Sequence, residues 1–423
     1  MEYLASVSRR SFLASMSSTI AAASLVLLIE GCGGNSDNKT SQWVASWFAP
    51  QQNYNEQVPL VGVLAPAPVT VTNETIRQVI HPSYGGNLAR VKMSNIFGTA
   101  PVTFSAVRIA RSVGNGAIDA SSDTAVTFNG STSLTLAPGA ESWSDSANIT
   151  YPTQTDLAVS IFVQASTPVA TVHTLGQQTN FMAAGNQISA ATLSGATFTT
   201  SFYWVSGIDI STTDKVKVIV AFGDSITDGA ASTVSANHRW PNLFDDRVQA
   251  AASSIGRASV VNAGIAGNRW LNDVVGPAGQ GRFSRDVLAL SGATHVMILL
   301  GINDIGFGKL NASQTVSADQ VIGAISAATA QAKAKGLKVF LATLLPYQGA
   351  LYFDPTGETK RQAVNAFVRS APGIDGVIDF DKIMKDPSNP SAMLPAYDSG
   401  DHLHPNDAGY LVMANSIDLK ILQ

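Results

Sequence analysis

Four short polar clusters in the second half of this 423-residue chain carry side chains that could do chemistry. In chain order they are Gly223-Asp224-Ser225, Asn262 to Asn268, Gly301 to Asp304, and Asp401 to Asn406. Together they offer a hydroxyl, imidazoles, carboxylates and amides. Acyl transfer needs this set, because it uses a nucleophile, a base, a group that orients the base, and donors for an oxyanion.

Ser225 is the predicted nucleophile. A serine hydroxyl is almost fully protonated at neutral pH, so it needs a base, and His404 is our choice for that role. Asp401 is expected to bind the other ring nitrogen of His404. The spacing of three residues lets both side chains point the same way on one turn of chain.

The oxyanion is expected to be held by the backbone N–H groups of Ser225 and Gly267 and by the Asn303 amide. A glycine at position 267 lets the substrate approach the backbone closely. Asp224 and Asp304, next to these residues in the chain, are predicted to support the site. Taken singly, each residue also has an ordinary structural explanation, such as a turn cap or a surface histidine. Only the combination favours catalysis.

The elements that must position these clusters alternate between strand and helix. An apolar run from Val216 to Gly223 suits a buried parallel strand that turns into a helix. Further strands are predicted at Ala258–Asn262, His295–Leu300, Leu337–Leu344 and Gly376–Phe380, and helices at Trp240–Ile255, Ser317–Lys335, Thr359–Ser370 and Asp407–Leu422. The alternation predicts a three-layer, doubly wound α/β domain. Its strand ends would bring the clusters to one edge.

The preceding segment, from about Trp43 to Ile210, is predicted to be an antiparallel sandwich. It consists of short alternating runs separated by turn residues, such as Thr75–Ile80, Leu88–Ser94, Val102–Ala110, Ser133–Leu136 and Leu157–Val163. Four tryptophans could stack on sugars if exposed, although large aromatics are more often buried; they are Trp43, Trp47, Trp143 and Trp204. His81 and His173 look isolated and are interpreted as structural.

The first residues are predicted to be an export signal. Arg9-Arg10 followed by Phe-Leu and an apolar stretch to Ile29 resembles a bacterial twin-arginine signal. Gly-Cys after aliphatic residues resembles a lipobox, in which Cys32 would be lipidated, whereas Glu30 fits that pattern poorly. Plain cleavage and release is the alternative.

We therefore divide the chain into a signal and linker (1–39), a β-rich domain (40–212) and a catalytic domain (213–423). The expected location is outside the bacterial cytoplasm.

The composition of the chain excludes several classes of function. Charged residues make up 13% of the chain and the net charge is −4, so no basic patch for nucleic acid is expected. The single cysteine excludes an intramolecular disulfide and a cysteine-rich metal site. We predict no cofactor and no metal. Contact with a membrane would come only through a lipid at Cys32.

The motifs GDSITDG, NAGIAGN, GIND and DHLHPN resemble four sequence blocks of the SGNH (GDSL) hydrolases. The resemblance covers about the last half of the chain, with Ser225, Gly267, Asn303 and His404 at the four named positions. It implies a flavodoxin-like fold and a Ser-His-Asp triad. WVASWFAP, TIRQVIHPSYGG and ARVKMSNIFGTAPV are similar to the β domain ahead of some secreted, xylan-esterase-like members, which suggests removal of O-acetyl groups from a polysaccharide.

Other functions remain open from sequence. Lysophospholipase and general carboxylesterase activities are equally compatible with the catalytic half. A metallophosphoesterase is disfavoured, because neither the spacing nor the order of the acidic and histidine residues fits that class. A non-catalytic carbohydrate-binding protein is disfavoured as well, since a binding module needs no nucleophile.

Overall fold

The computed structural model describes residues 40–56, 69–273 and 275–423. The predicted export signal, Cys32 and the linker to residue 39 lie outside the described residues. From Thr40 to Gln423 the chain forms one unit. Within the described ranges, no helix is both long and apolar enough to cross a membrane.

The first part of this unit is built of β-strands. In chain order they are β1 (Gln42–Phe48), β2 (Gln52–Asn53), β3 (Thr70–Val71), β4 (Glu74–Ile80), β5 (Gly86–Ser94), β6 (Val102–Phe104), β7 (Ala106–Gly114), β8 (Ala117–Ile118), β9 (Thr124–Val126), β10 (Leu134–Leu136), β11 (Glu141–Trp143), β12 (Ala147–Tyr151), β13 (Leu157–Val163), β14 (Thr167–Pro168), β15 (Thr171–His173), β16 (Asn180–Ala184), β17 (Thr197–Thr199), β18 (Phe202–Tyr203) and β19 (Val205–Thr212). The predicted single strand Val102–Ala110 is interrupted at Ser105, which separates β6 from β7.

Two antiparallel sheets make up most of this β-rich part. One has the order β1-β19-β5-β11, with β12 also paired to β5, and the other has the order β17-β16-β4-β13-β7-β8, with β9 also paired to β7. Inward-facing residues of both sheets lie in one hydrophobic core. The β-rich domain predicted from alternating short runs is therefore confirmed, because apolar and polar residues alternate where one sheet face is buried.

The tryptophans of this part are mostly structural. Trp204 is fully buried, and Trp47 packs edge-on against Phe202. The ring centres of Trp43 and Trp143 lie 4.5 and 4.3 Å from the guanidinium carbon of Arg90. A sugar-stacking role is therefore wrong for Trp204.

The second part alternates strands and helices. Its strands are β20 (Lys217–Gly223), β21 (Ala258–Gly264), β22 (Ala293–Leu299), β23 (Lys338–Ala342), β24 (Gly376–Ile378), β25 (Lys385–Asp386) and β26 (Asn389–Met393). The helices are α1 (Ser225–Asp228), α2 (Trp240–Ala250), α3 (Ala252–Ile255), α4 (Gly279–Phe283), α5 (Ile302–Leu310), α6 (Ala318–Ala334), α7 (Pro355–Ser370), α8 (Phe380–Met384) and α9 (Asp407–Ser416). A π-helical turn, Ser284–Leu288, follows α4.

Five of these strands form a parallel sheet in the order β21-β20-β22-β23-β24. The first strand, β20, lies between the second and the third, so the chain reverses direction across the sheet at β20 and β22. This is the flavodoxin-like order, in which ligands bind at the carboxyl ends of the strands beside the reversal. The predicted three-layer α/β fold is confirmed, and its binding edge lies where β20 and β22 end.

Some element boundaries differ from the prediction. Helix α7 begins at Pro355 rather than Thr359, because Asp354 accepts the N–H of Gly357 and proline is tolerated in a first turn. The last helix ends at Ser416, and Leu419–Leu422 forms a separate short turn. Ser317 and Asn406 cap their helices as predicted.

The β-rich and α/β parts share one hydrophobic core. Ser259 on β21 donates its hydroxyl to the carbonyl of Ala45 on β1 at 2.7 Å. The change from one type of structure to the other falls between Thr212, the end of β19, and Lys217, the start of β20.

Candidate active site

Ser225 stands at the junction of β20 and α1. The Asp224 carboxylate accepts the N–H of Ile226 at 3.1 Å, so Asp224, rather than the serine, caps the helix. The helix therefore begins at Ser225, directly beyond the carboxyl end of a central strand. Ser225 is 6% exposed, so a substrate would reach it in surroundings from which most water is excluded.

A hydrogen-bonded chain joins Ser225, His404 and Asp401. The Oγ of Ser225 lies 2.8 Å from Nε2 of His404, and Nδ1 of His404 lies 2.6 Å from Oδ2 of Asp401. A carboxylate accepts only, so Nδ1 donates to Asp401, which leaves Nε2 to accept the proton of the serine hydroxyl. The structure thus brings together the three residues that the sequence analysis selected.

The turn before α9 holds Asp401 in place. Its Oδ1 accepts the N–H groups of Leu403 and His404 at 2.9 and 2.8 Å and the hydroxyl of Ser399 at 3.0 Å. Burial raises the pKa of Asp401, but the hydrogen bonds and the attraction of His404 outweigh burial and hold the pKa well below its usual value. Asp401 therefore stays ionised and keeps accepting from the imidazole.

The side-chain amide of Asn303 is fixed at the start of α5, just beyond β22. Its Nδ2 donates to the carbonyl of Asn268 at 3.0 Å, and its Oδ1 accepts the hydroxyl of Tyr352 at 3.0 Å. Burial raises the pKa of Tyr352 well above its usual value, so its hydroxyl remains a donor. An amide nitrogen carries two hydrogens, so Asn303 keeps one for a ligand.

Gly267 lies in the turn that follows β21. Its φ of 75° is in the left-handed region, which favours glycine. The turn is held from two sides. Asp304 accepts the N–H groups of Trp270 and Leu271 at 2.8 and 3.1 Å, and Asp228 accepts the N–H of Ala266 at 2.9 Å.

Two buried carboxylates lie beside these groups. Burial raises the pKa of Asp224 to about 7, because one N–H from Ile226 compensates little of the lost hydration. Its Oδ2 has no hydrogen-bond partner among the described residues. Burial raises the pKa of Asp304 to about 6, against the N–H groups that it accepts. Asp224 thus caps the helix that begins at Ser225, and Asp304 holds the chain that follows Gly267.

His402 forms a separate pair. Its Nδ1 lies 2.6 Å from Oδ2 of Asp398, and 53% of its side chain is exposed. Its ring packs against Gly349, where an added Cβ would lie 2.8 Å from the ring. Of the two histidines in the DHLH sequence, His404 is the one that contacts Ser225.

Three residues that hold the active site in place were not identified from the sequence. Tyr352 belongs to no recognised motif, so no signal singled it out. Asp228 stands within GDSITDG but received no role. His173, interpreted as isolated, is paired with Asp228: its Nε2 lies 2.9 Å from the Asp228 carboxylate. His81 is also paired with a carboxylate: its Nδ1 lies 2.6 Å from Oδ1 of Asp156.

The arrangement can perform acyl transfer. A serine hydroxyl faces a histidine that is oriented by an ionised carboxylate. The Asn303 amide and the Gly267 turn follow β22 and β21, the two strands paired with β20, so they lie at the same edge of the sheet as Ser225. Among the described ranges, no group of three or more His, Cys, Asp or Glu side chains is placed so that it could hold a metal ion.

Comparison with protein families identifies this half of the chain. The family described as GDSL-like lipase/acylhydrolase matches residues 221–412, which run from β20 into α9. Residues 221–412 form a GDSL-like lipase/acylhydrolase domain. The family resemblance stated from the motifs is confirmed for this domain, and the chain is a carboxylic ester hydrolase.

Several solved structures are similar to the GDSL-like domain, and each match covers about half of this chain. A putative lipolytic protein from Desulfitobacterium hafniense is 22% identical, with a TM-score of 0.37, and the match covers 47% of this chain and 97% of that one. A putative acylhydrolase from Bacteroides fragilis is 27% identical, with a TM-score of 0.36, covering 49% and 88%. A catalytic mutant of an acetylxylan esterase from Geobacillus stearothermophilus is 20% identical, with a TM-score of 0.38, covering 49% and 94%. No curated protein matches the chain.

Proposed function

We propose that this GDSL-like hydrolase is a serine esterase that forms an acyl-enzyme on Ser225 and removes O-acetyl groups from a polysaccharide. The observation that carries the proposed mechanism is the continuous hydrogen-bonded chain from Ser225 through His404 to Asp401. Such a chain serves to remove the proton of a nucleophilic hydroxyl.

In the first half-reaction, Oγ of Ser225 attacks the ester carbonyl carbon while its proton passes to Nε2 of His404. Asp401 stabilises the imidazolium that results. The negative charge moves to the carbonyl oxygen, which accepts hydrogen bonds from the N–H groups of Ser225 and Gly267 and from Nδ2 of Asn303. The C–O bond then breaks, and the leaving alcohol takes the proton from Nε2.

In the second half-reaction, water attacks the acyl group on Ser225 and gives its proton to His404. A second tetrahedral anion forms and is held by the same donors. It collapses to release the carboxylic acid, and the proton on His404 returns to the serine oxygen. The cycle consumes one ester and one water and uses no cofactor.

A short acyl group is supported by the packing behind Asn303. The ring of Tyr352 is buried, and an added Cβ on Gly306 would lie only 2.3 Å from it, so protein closes the side of the Asn303 amide that faces Tyr352. A polar alcohol is supported by the rim, where Asp401 and His402 are about half exposed. A hydroxyl-rich sugar can exchange its hydrogen bonds with water for bonds to such groups.

The proposal is tested by measuring acetate released from acetylated xylan, with Ser225→Ala as the control. The same preparation is tested on aryl esters of increasing acyl length and on lysophospholipids. We expect release from the polysaccharide, and a preference for acetyl over longer aryl esters. Preferential hydrolysis of lysophospholipids, or of long-chain esters, would replace the polysaccharide with a lipid or with a general ester substrate.

We also propose that the protein is exported, as the residues before Thr40 indicate, which would place it with extracellular polymers. Mass spectrometry of the mature N-terminus tests this. A start at acylated Cys32 would establish the lipid anchor, and an unmodified start beyond Cys32 would establish release. A full-length chain that begins at Met1 would contradict export.

A further inference from the structure

The β-rich part contributes a buried histidine, His173, at the end of β15. Its imidazole is buried, with 5% of the side chain exposed, and it lies between two acceptors. Nδ1 is 2.9 Å from the carbonyl of Pro50, and Nε2 is 2.9 Å from Oδ1 of Asp228. Since a carbonyl and a carboxylate only accept, both ring nitrogens must donate, and the imidazole carries a positive charge.

The protonated state fits the surroundings. Burial lowers the pKa of His173, but the attraction of Asp228 and the hydrogen bonds to Asp228 and Pro50 outweigh burial and raise the pKa. The cationic side chain of Arg239 opposes this only weakly. A buried charge needs such a partner, because an unpaired one would be very costly.

The partner carboxylate, Asp228, lies between two parts of the active site. It ends α1, the helix that begins at Ser225, and its backbone N–H donates to the carbonyl of Asp224 at 2.9 Å. Its Oδ2 accepts the N–H of Ala266, the residue before Gly267, at 2.9 Å. One carboxylate thus ties the nucleophile helix to the turn assigned to the oxyanion.

The segment around His173 holds the same region at further points. Gln177 donates its side-chain amide to the carbonyl of Gly229 at 3.1 Å, directly after α1. Arg239 donates to the carbonyl of Gly176 at 2.7 Å. These contacts keep the β15 segment against the chain that leaves the nucleophile, so His173 cannot shift without moving several partners.

We propose that His173 is a positioning residue for ester hydrolysis, which holds the Asp228 carboxylate so that the Ala266–Gly267 turn is set relative to Ser225. His173 lies outside residues 221–412, so a residue of the β-rich part completes the site of the GDSL-like domain. The proposal rests on the proposed function, because the Gly267 N–H is taken as an oxyanion donor. The β-rich part then acts on the chemical step.

Two substitutions of His173 separate its two hydrogen bonds. Asparagine places an amide near the position of Nδ1, so His173→Asn keeps the donor to Pro50 and loses the donor to Asp228. Glutamine places an amide near Nε2, so His173→Gln keeps the donor to Asp228. A misplaced oxyanion donor lowers kcat and changes KM little, because the interaction forms in the transition state.

For His173→Asn we expect kcat on p-nitrophenyl acetate to fall by about 10- to 100-fold with KM within about twofold. His173→Gln should recover most of the loss. His81→Asn is the matched control, because His81 also pairs with a carboxylate of the β-rich part, Asp156 at 2.6 Å, and should leave kcat unchanged. Equal kcat for wild type and a folded His173→Asn would overturn the proposal, as would equal losses in the Asn and Gln variants.

Hydrogen exchange gives a readout that does not depend on turnover. In folded His173→Asn, the peptide spanning residues 264–268 should exchange faster than in wild type, while the peptide of α6 is unchanged. Uniformly faster exchange would indicate a merely structural role and overturn the proposal.

If His173→Asn does not fold, Asp228→Ala replaces it. Alanine removes the acceptor of the Ala266 N–H, so we expect kcat to fall by about 10- to 100-fold with KM little changed. Wild-type kcat in a folded Asp228→Ala variant would overturn the proposal.

The assay also separates this inference from the proposed function. Ester hydrolysis by the wild type that is absent in Ser225→Ala supports the proposed function, whatever the His173 variants do. If Ser225→Ala retains wild-type turnover, the proposed function fails first. If Ser225→Ala is inactive and the His173 variants match wild type, only the inference fails.

Discussion

The Ser225 hydroxyl lies 2.8 Å from Nε2 of His404, although 179 positions separate the two residues in the chain. Their meeting is a consequence of topology. Ser225 follows the central strand β20, and the turn carrying His404 returns to the same edge after the last strands of the domain. The contact therefore depends on the whole α/β fold and not on any local segment.

Asp401 should matter for turnover more than for binding. Asp401→Asn would turn an obligate acceptor into an amide that can donate to His404, which favours the tautomer with a proton on Nε2. We expect kcat to fall by roughly a hundredfold to ten-thousandfold, with KM little changed. Steady-state kinetics on an aryl acetate measure both. A loss confined to KM would contradict the orienting role.

Substitutions of Asn303 and of Tyr352 should lower kcat to different extents. Asn303→Ala removes an oxyanion donor and should lower kcat by about a hundredfold to a thousandfold. Tyr352→Phe removes only the hydroxyl that orients the amide, which corresponds to about 1 kcal/mol, so kcat should fall by about five- to tenfold. In Asn303→Ala, the further change to Phe at position 352 should add almost nothing. Additive losses in the double variant would show that Tyr352 acts elsewhere.

His402 should be dispensable for the chemistry. Its side chain is 53% exposed and pairs with Asp398, whereas the base that contacts Ser225 is His404. His402→Ala should therefore change kcat by less than about fivefold. Loss of all activity in a folded His402→Ala protein would reopen the choice of base between His402 and His404.

Asp224 should make stability depend on pH. Its pKa is raised from 3.8 to about 7, so the folded state binds the proton more tightly than the unfolded state does. The free energy of unfolding should therefore fall as pH rises from about 4 to about 7, by at most about 4 kcal/mol from this group. Asp224→Asn cannot ionise and should remove that part of the pH dependence. Urea unfolding of both proteins at pH 4.5 and pH 8 measures this dependence. An identical change in the free energy of unfolding between the two pH values, for wild type and Asp224→Asn, would contradict the raised pKa.

The sequence was informative where local pattern and burial coincide. Apolar runs such as Val216–Gly223 are buried on both faces, so their composition alone predicts a parallel strand, and the polar residues directly after such runs mark the binding edge. The roles proposed for Ser225, His404 and Asp401 came from residue type and spacing, and the structure then placed these side chains in contact.

The contacts that could not be predicted join distant segments without a local signature. The Tyr352 hydroxyl reaches Asn303 over 49 positions, and His173 reaches Asp228 over 55. Neither tyrosine nor histidine stands in a patterned run that would identify its partner. Helix boundaries were missed for a different reason: Asp354 and Pro355 extend α7 through capping chemistry that the apolar period does not record.

Ser225 is the proposed nucleophile, and covalent labelling tests this role most directly. The protein is incubated with a fluorophosphonate that reacts with activated serines, digested, and mapped by mass spectrometry, with Ser225→Ala and His404→Ala in parallel. We predict one adduct, on Ser225, whose formation coincides with loss of esterase activity, and no adduct in either variant. An adduct on another serine that abolishes activity, or full activity in folded Ser225→Ala, would contradict the account.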